Sequence, residues 1–248
     1  MAPIVRESQK SEEVLIALEN LSKKWTIDPI IRDVHLGHRS DARDYPLKLN
    51  QVTFHIPYLS ETSDFVVWSC FWPDCHNCCE KQGRLPLTSK DMSVISKGLG
   101  YPNRTDFLKK ETYVTTWENT ASTHQEDSQI ITTLTMVNLK RSQTESEDDN
   151  GKQIACRFLS NEGSCSINSS KPGVCSLYPF FSWSQNENNK VSVHASYQFT
   201  GDCPGFSLTK TLDDYIPTLR NYSEIIYNYT MNVNTTLREG FARIDISE

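Results

Sequence analysis

With 25 Lys and Arg against 31 Asp and Glu in 248 residues, the chain carries a formal charge of −6. A nucleic-acid surface needs clustered positive charge, so this balance argues against one. No run of about 18 apolar residues occurs, which excludes a spanning helix, yet the length is enough to bury a substantial core.

The first 24 residues contain no apolar h-region of the kind a signal peptide needs, so the expected location is the cytoplasm. Asn-x-Ser/Thr sequons such as Asn103 and Asn221 then reflect an Asn- and Thr-rich composition. In a reducing compartment, cysteines more often bind metal or do redox chemistry than build a disulfide framework.

In chain order, Val14, Leu15, Ala17, Leu18 and Leu21 recur at helical intervals and predict an amphipathic helix over residues 11–24. The next stretch, 27–50, has no clear pattern; His35 and His38 there are expected in a solvated turn. Val52, Phe54, Ile56 and Tyr58 alternate, and Phe65–Trp68 follows a polar turn, so two strands are expected. After Cys79, residues 87–100 predict a short helix capped by Thr88 or Ser89, with Met92, Ile95 and Leu99 buried and Gly100 ending it. Residues 105–110 suggest a further helical turn.

Ile130–Val137 is β-rich. The polar segment 141–151 is expected as a mobile, solvated loop, with 153–159 as a return strand. Val191, Val193, Ala195, Tyr197 and Phe199 alternate as another strand. Beyond Ser207 the spacing of Leu208, Leu212, Tyr215, Leu219, Tyr222, Ile226 and Tyr229 is helical, with Pro217 kinking or splitting the helix. The expected class is α+β: a small antiparallel sheet with flanking helices, metal-stapled loops and helical extensions. Three regions are expected, a 1–64 extension, a 65–206 cysteine domain and a 207–248 helical segment.

Chemistry concentrates in the eight cysteines. Cys70, Cys75, Cys78 and Cys79 fall within ten residues; Cys156, Cys165, Cys175 and Cys203 are spread over the second half. Thiolates are soft ligands that select zinc, copper(I) or iron–sulfur clusters. The Cys75/Cys78 step lets two sulfurs reach one ion across a tight turn, and Cys70-x4-Cys75-x2-Cys78 has plant-type ferredoxin spacing. Neighbouring side chains point apart, so Cys78 and Cys79 rarely serve one mononuclear ion. They suggest more than one metal ion, in two four-sulfur sites each drawing on both groups, or one polynuclear cluster. A vicinal disulfide and unliganded buried thiols are the alternatives. His76 lies between two of these cysteines, as a ligand or as a donor to a cluster sulfur. His55, His124 and His194 look scattered. Phe71, Trp72, Tyr178, Phe180 and Phe181 are expected to wall the centre from water.

The segments Cys70–Cys79, Leu87–Asp91, Cys156–Leu159, Cys165–Ile167, Lys171–Phe180 and Cys203–Gly205 resemble the YkgJ-type cysteine-cluster family (CxxCxxCC). That family is described as a zinc- or iron-chelating domain and is distantly similar to flagellin lysine-N-methylase. The resemblance covers roughly 65–206 and implies zinc or an iron–sulfur cluster such as [4Fe–4S] on the eight cysteines. Four residues separate the first two cysteines here instead of the family's two. Lys171, Ser176 and Arg157 stand where the family usually has Arg, Arg and Pro.

Three functions are compatible: a structural or electron-transferring metal protein; a methyltransferase using S-adenosylmethionine on protein lysine; or an interaction subunit that docks a protein partner through its terminal helices. The second lacks a Gly-rich strand-to-helix loop for the nucleotide.

Overall fold

The computed structural model describes residues 28–238, apart from positions 73, 82, 123–128, 150–151, 188–189 and 199–202. The expected helix over 11–24 and the strand position Phe199 lie outside the described residues. The chain divides into two units. One joins residues up to Cys78 with Leu177–Tyr227; the other joins Cys79–Ser176 with residues from Asn228 onward.

The first unit is built on a sheet. Helix α1 (Pro29–Leu36) begins where the Asp28 side chain accepts the Ile30 amide at 2.8 Å and Pro29 presets the first turn. Strands β1 (Ala42–Leu49), β2 (Val52–Leu59) and β3 (Asp64–Trp68) follow. After Cys79–Ser176 the chain returns as β6 (Phe180–Glu187), β7 (Lys190–Tyr197) and β8 (Phe206–Thr209). The order is β6-β7-β2-β3-β8, with β1 pairing β2 along its whole length. On its other edge β2 meets β7 in parallel over Val52–His55 and β3 antiparallel at Tyr58 and Leu59. Val52, Phe54 and Ile56 are fully buried beside Val193, Ala195 and Phe180, so the alternation fixes which face is core.

In the second unit, α2 (Asn77–Glu80) leads across the Cys78–Cys79 division to α3 (Ser89–Gly98) and α4 (Arg104–Glu111). A long hairpin, β4 (Thr112–Ser122) with β5 (Gln129–Leu139), comes next. Thr88 and Asp91 form the reciprocal capping box at the start of α3. Met92 and Ile95 are buried as expected, in a core with Leu85, Leu87, Phe107, Val137, Leu139 and Phe158. Helix α5 (Gly173–Leu177) is short, and α6 (Ile216–Arg238) begins in the first unit and ends in the second.

The mixed α+β class stands as expected, but several elements differ. The parallel β2–β7 pairing makes the main sheet mixed. β1 is an additional strand: Arg43, Asp44 and Lys48 face outward and mask its period, and Pro46 is tolerated because β1 lies at a sheet edge. The partner of β5 is β4, not 153–159, which carries isolated bridge positions at Ile154 and Leu159 and no strand. Leu208 belongs to β8, and Pro217 sits in the first turn of α6, where its missing amide costs nothing, so it neither kinks nor splits the helix. His35 lies on α1 with its ring edge-on to Phe206 at 4.7 Å, and His38 is in the exposed turn after it.

The largest correction concerns 141–151. Arg141 is 0% exposed and Glu145 2%. The Arg141 guanidinium and amide both reach the Glu145 carboxylate, Tyr113 Oη donates to it at 2.8 Å, and Arg141 Nη1 donates to the Lys152 carbonyl at 2.7 Å. Burial opposes ionisation of Glu145, yet Arg141 and Tyr113 outweigh it and hold the carboxyl below its usual range. The segment is therefore pinned by a buried ion pair that composition alone hides. Removing one partner of such a pair leaves an uncompensated charge, so Glu145→Ala should cost about 3–5 kcal/mol in urea unfolding at neutral pH. Because the folded carboxyl titrates low, its contribution is complete above the ordinary glutamate range and fades as pH falls through the folded value. A loss under about 1 kcal/mol, the scale of exposed pairs, would instead mark the loop as solvated.

Candidate metal centre

The eight cysteines fall four and four between the units. Cys70, Cys75, Cys78 and Cys203 belong to the first unit, and Cys79, Cys156, Cys165 and Cys175 to the second. None is in a disulfide, so the vicinal Cys78–Cys79 bridge is not formed.

In the first set, Cys70 follows the end of β3 and is exposed, as is Cys78; Cys75 and Cys203 are half-buried. The Asp74 and Cys75 amides donate to the Phe71 carbonyl at 2.8 and 3.2 Å, and the Trp72 amide lies 3.4 Å from Cys70 Sγ. One tight turn thus absorbs the four-residue spacer between Cys70 and Cys75. Trp68 Nε1 donates to Cys203 Sγ at 3.2 Å. The chain reaches this position by way of Gly205, whose carbonyl accepts the Ser69 amide at 2.9 Å; a Cβ there would stand 2.3 Å from the Ser69 carbonyl oxygen. Only glycine allows that approach. Tyr222, on α6, stands beside Cys70 and Cys78. Burial pushes its phenol up to about 12, and negative charge on those two sulfurs acts in the same direction.

The expected aromatic wall is largely replaced. Phe71, Trp72 and Phe181 are 46%, 63% and 45% exposed, and Phe180 lies in the sheet core against Phe54 and Tyr197. The rings near the sulfurs are Trp68 and Tyr222, with Tyr178 edge-on to Trp68 at 5.9 Å. Tyr178 was expected; Trp68 and Tyr222 were not. Trp68 carries a signal in sequence, one strand residue two positions before a cysteine. Tyr222 carries none, because it arrives from a distant helix. His76 Nε2 is buried without a hydrogen-bond partner, so this loop contains one unsatisfied soft-metal donor atom beside its sulfurs.

In the second set, backbone contacts draw separate segments together. The Cys156 amide donates to the Cys79 carbonyl at 2.8 Å, Leu159 bridges Cys165, and the Ser166 amide donates to the Phe158 carbonyl at 2.8 Å. Cys175 lies on α5, whose position depends on Asp91. One carboxylate oxygen of Asp91 accepts the Thr88 amide and hydroxyl at 2.9 and 2.7 Å, and the other accepts the Gly173 amide at 2.9 Å. Gly173 has no room for a side chain, since a Cβ would lie 2.8 Å from the Tyr229 ring. Burial pushes the Cys175 thiol well up, and charge on Cys156, Cys79 and Cys165 pushes further, with Lys171 opposing. Burial also raises Cys156, helped by Cys79 and Cys165 and opposed by the Phe158 amide and Arg157. Cys156 and Cys175 are therefore both within electrostatic reach of Cys79 and Cys165. Arg157 pairs with Glu111 and lies over the Phe158 ring at 4.5 Å, so it is bound up in packing around the site.

Among the described residues, no three cysteine, histidine or carboxylate side chains stand close enough to hold an ion as they are placed. The donor chemistry nevertheless fits one. Thiols that oppose each other's ionisation in a buried site are hard to deprotonate alone, and a cation among them reverses that balance. Among the described residues no helix is long and apolar enough to cross a membrane.

No curated protein and no solved structure gives a match to this chain. The model of one family, CxxCxxCC, described as "Putative zinc- or iron-chelating domain", matches residues 69–203. That match spans more than half of the 248 residues and takes in all eight cysteines, and the chain belongs to this metal-chelating family.

Proposed function

We propose that the protein binds metal at two separate four-cysteine centres, one on Cys70, Cys75, Cys78 and Cys203, the other on Cys79, Cys156, Cys165 and Cys175. The observation that carries this reading is the division of eight thiols four and four at the Cys78–Cys79 bond. Four thiolates suit either a tetrahedral zinc ion or an iron–sulfur cluster such as [4Fe–4S]. Either group, when bound, ties its chain segments together, and a cluster also takes up and releases an electron. The second centre is structural: Cys79 lies on the short α2, and Cys156, Cys165 and Cys175, on loops and the five-residue α5, pack against the unit's core. Reduced thiols in this number suit the cytoplasm.

A second reading, electron transfer, is favoured at the first centre alone. Cys70 and Cys78 are exposed beside exposed Phe71 and Trp72, and the Trp68 N–H to Cys203 Sγ is the type of hydrogen bond that tunes a cluster's potential.

Anaerobically purified protein should contain zinc, or iron with sulfide and a brown colour; finding neither metal overturns the proposal. Paramagnetic resonance of the dithionite-reduced protein separates the roles, since a zinc-filled first centre gives no signal and removes the electron-transfer reading. Cys75→Ser and Cys175→Ser should each release about half of the metal, because each breaks a different centre. A variant that retains the full content removes that cysteine from the ligand set. Asp91→Ala should cost about 1–3 kcal/mol by leaving the Thr88 and Gly173 donors without their acceptor. It should also speed chelator removal of metal from the second centre alone, whereas Lys90→Ala, on the exposed side of α3, should change neither.

A further inference from the structure

A cavity of about 410 Å³ opens at the end of β3, beside the first centre and wholly within the sheet unit. That volume falls in the range of small-molecule sites. Two segments enclose it. β3 runs antiparallel to β8, with Phe65 opposite Thr209 and Trp68 opposite Phe206. After β8, Thr209 Oγ1 donates to the Thr211 carbonyl at 3.1 Å. The Tyr215 and Ile216 amides then both donate to the Leu212 carbonyl, at 2.8 and 2.9 Å. This turn and the start of α6 supply one side of the cavity, and the exit of β3 supplies the other.

The lining divides by chemistry. Val67, Trp68 and Tyr215 are apolar or aromatic, and the last two are buried. Ser69, Thr209, Thr211 and Thr218 add hydroxyls. Apart from the buried Tyr215 phenol, the ionisable groups are Asp214 and Cys70, both exposed and both negative when charged. Among the described residues no lysine, arginine or histidine lines the cavity. Lys210 lies between two lining threonines in the chain but is engaged elsewhere: its Nζ donates to the Thr62 carbonyl at 2.6 Å and pairs with Asp64 at 2.9 Å. Asp214 has neither a hydrogen-bond nor an ion-pair partner among the described residues.

We propose that this cavity binds a small organic ammonium ion, a primary amine on an apolar body. The ammonium pairs with Asp214 and the threonine hydroxyls, and the body packs against Val67, Trp68 and Tyr215. An aromatic lining favours an organic cation. A calcium ion gathers about six to eight oxygens, which one carboxylate among apolar walls does not provide. An anion would be repelled by Asp214 and by a metal-ligating Cys70 sulfur alike. Two groups connect the cavity to the first centre: Cys70 lines it directly, and Trp68, which also lines it, donates to Cys203 Sγ at 3.2 Å. A bound amine therefore changes the surroundings of the metal. That coupling rests on the proposed first centre, whereas the amine site itself does not.

The test is a calorimetric titration of n-hexylammonium into the full chain, purified anaerobically, with n-hexanol and hexanoate as the neutral and anionic matches. Asp214→Asn removes the charge and Thr211→Lys places a cation in the cavity; both positions are exposed, and circular dichroism checks folding. The expected result is one saturable equivalent of hexylammonium, with hexanol bound about tenfold more weakly and hexanoate not at all. Each variant should weaken hexylammonium about tenfold, and Asp214→Asn should leave hexanol unchanged. No saturable uptake, equal affinity for ammonium and alcohol, or an ammonium affinity that Asp214→Asn leaves intact would overturn the site without touching the metal reading. Should one variant misfold, the other variant and the alcohol comparison decide in the same way. In the cobalt(II)-substituted protein, hexylammonium should shift the visible ligand-field bands. Saturable binding that needs Asp214 but leaves those bands in place would overturn the coupling to the first centre.

Discussion

Side chains on neighbouring residues of a helical turn point about 100° apart, and that constraint acts here on two cysteines in direct succession. Cys78 and Cys79 lie on the short α2, and the chain divides between them. Everything upstream, with Cys203, falls to the sheet unit; everything in Cys79–Ser176 falls to the other. The thiols are thereby apportioned four and four, and the division falls within the adjacent pair.

Each set is held by non-sulfur groups that do the positioning. In the sheet unit, Trp68 reaches Cys203 because β3 and β8 pair, with Trp68 opposite Phe206, and because Gly205 lets two backbones approach. In the second unit, Asp91 serves two elements at once: it closes the capping box of α3 and receives the first amide of α5, which carries Cys175. A carboxylate that satisfies three donors in a buried place is costly to replace, which accounts for an aspartate at a capping-box position that glutamate or glutamine more often fills. The Arg141–Glu145 pair is a second polar anchor, set into the core below the β4–β5 hairpin through Tyr113.

Much of the local structure was legible in the residues. The alternation of Val52–Tyr58, the capping signal before Met92 and the eight thiolate donors follow from side-chain period and ligand chemistry, which need only neighbours in sequence. Outward charges hide the period of β1, and the buried Arg141–Glu145 pair gives 141–151 the composition of a solvated loop. The aromatic wall is illegible for a similar reason: Phe71 and Trp72 adjoin the cysteines along the chain but are exposed, while Tyr222 adjoins them only in space.

By itself, then, the sequence determined the donor chemistry, the family and the mixed α+β class, since these depend on residue type and short-range spacing. Tertiary structure decided which sulfurs share a unit and which distant groups meet: Cys203 with Trp68, Gly173 with Asp91, and His55 with His194. Those meetings depend on strand register, above all the parallel β2–β7 pairing that a long connection makes possible. Register is a property of two segments together, and neither segment read alone contains it.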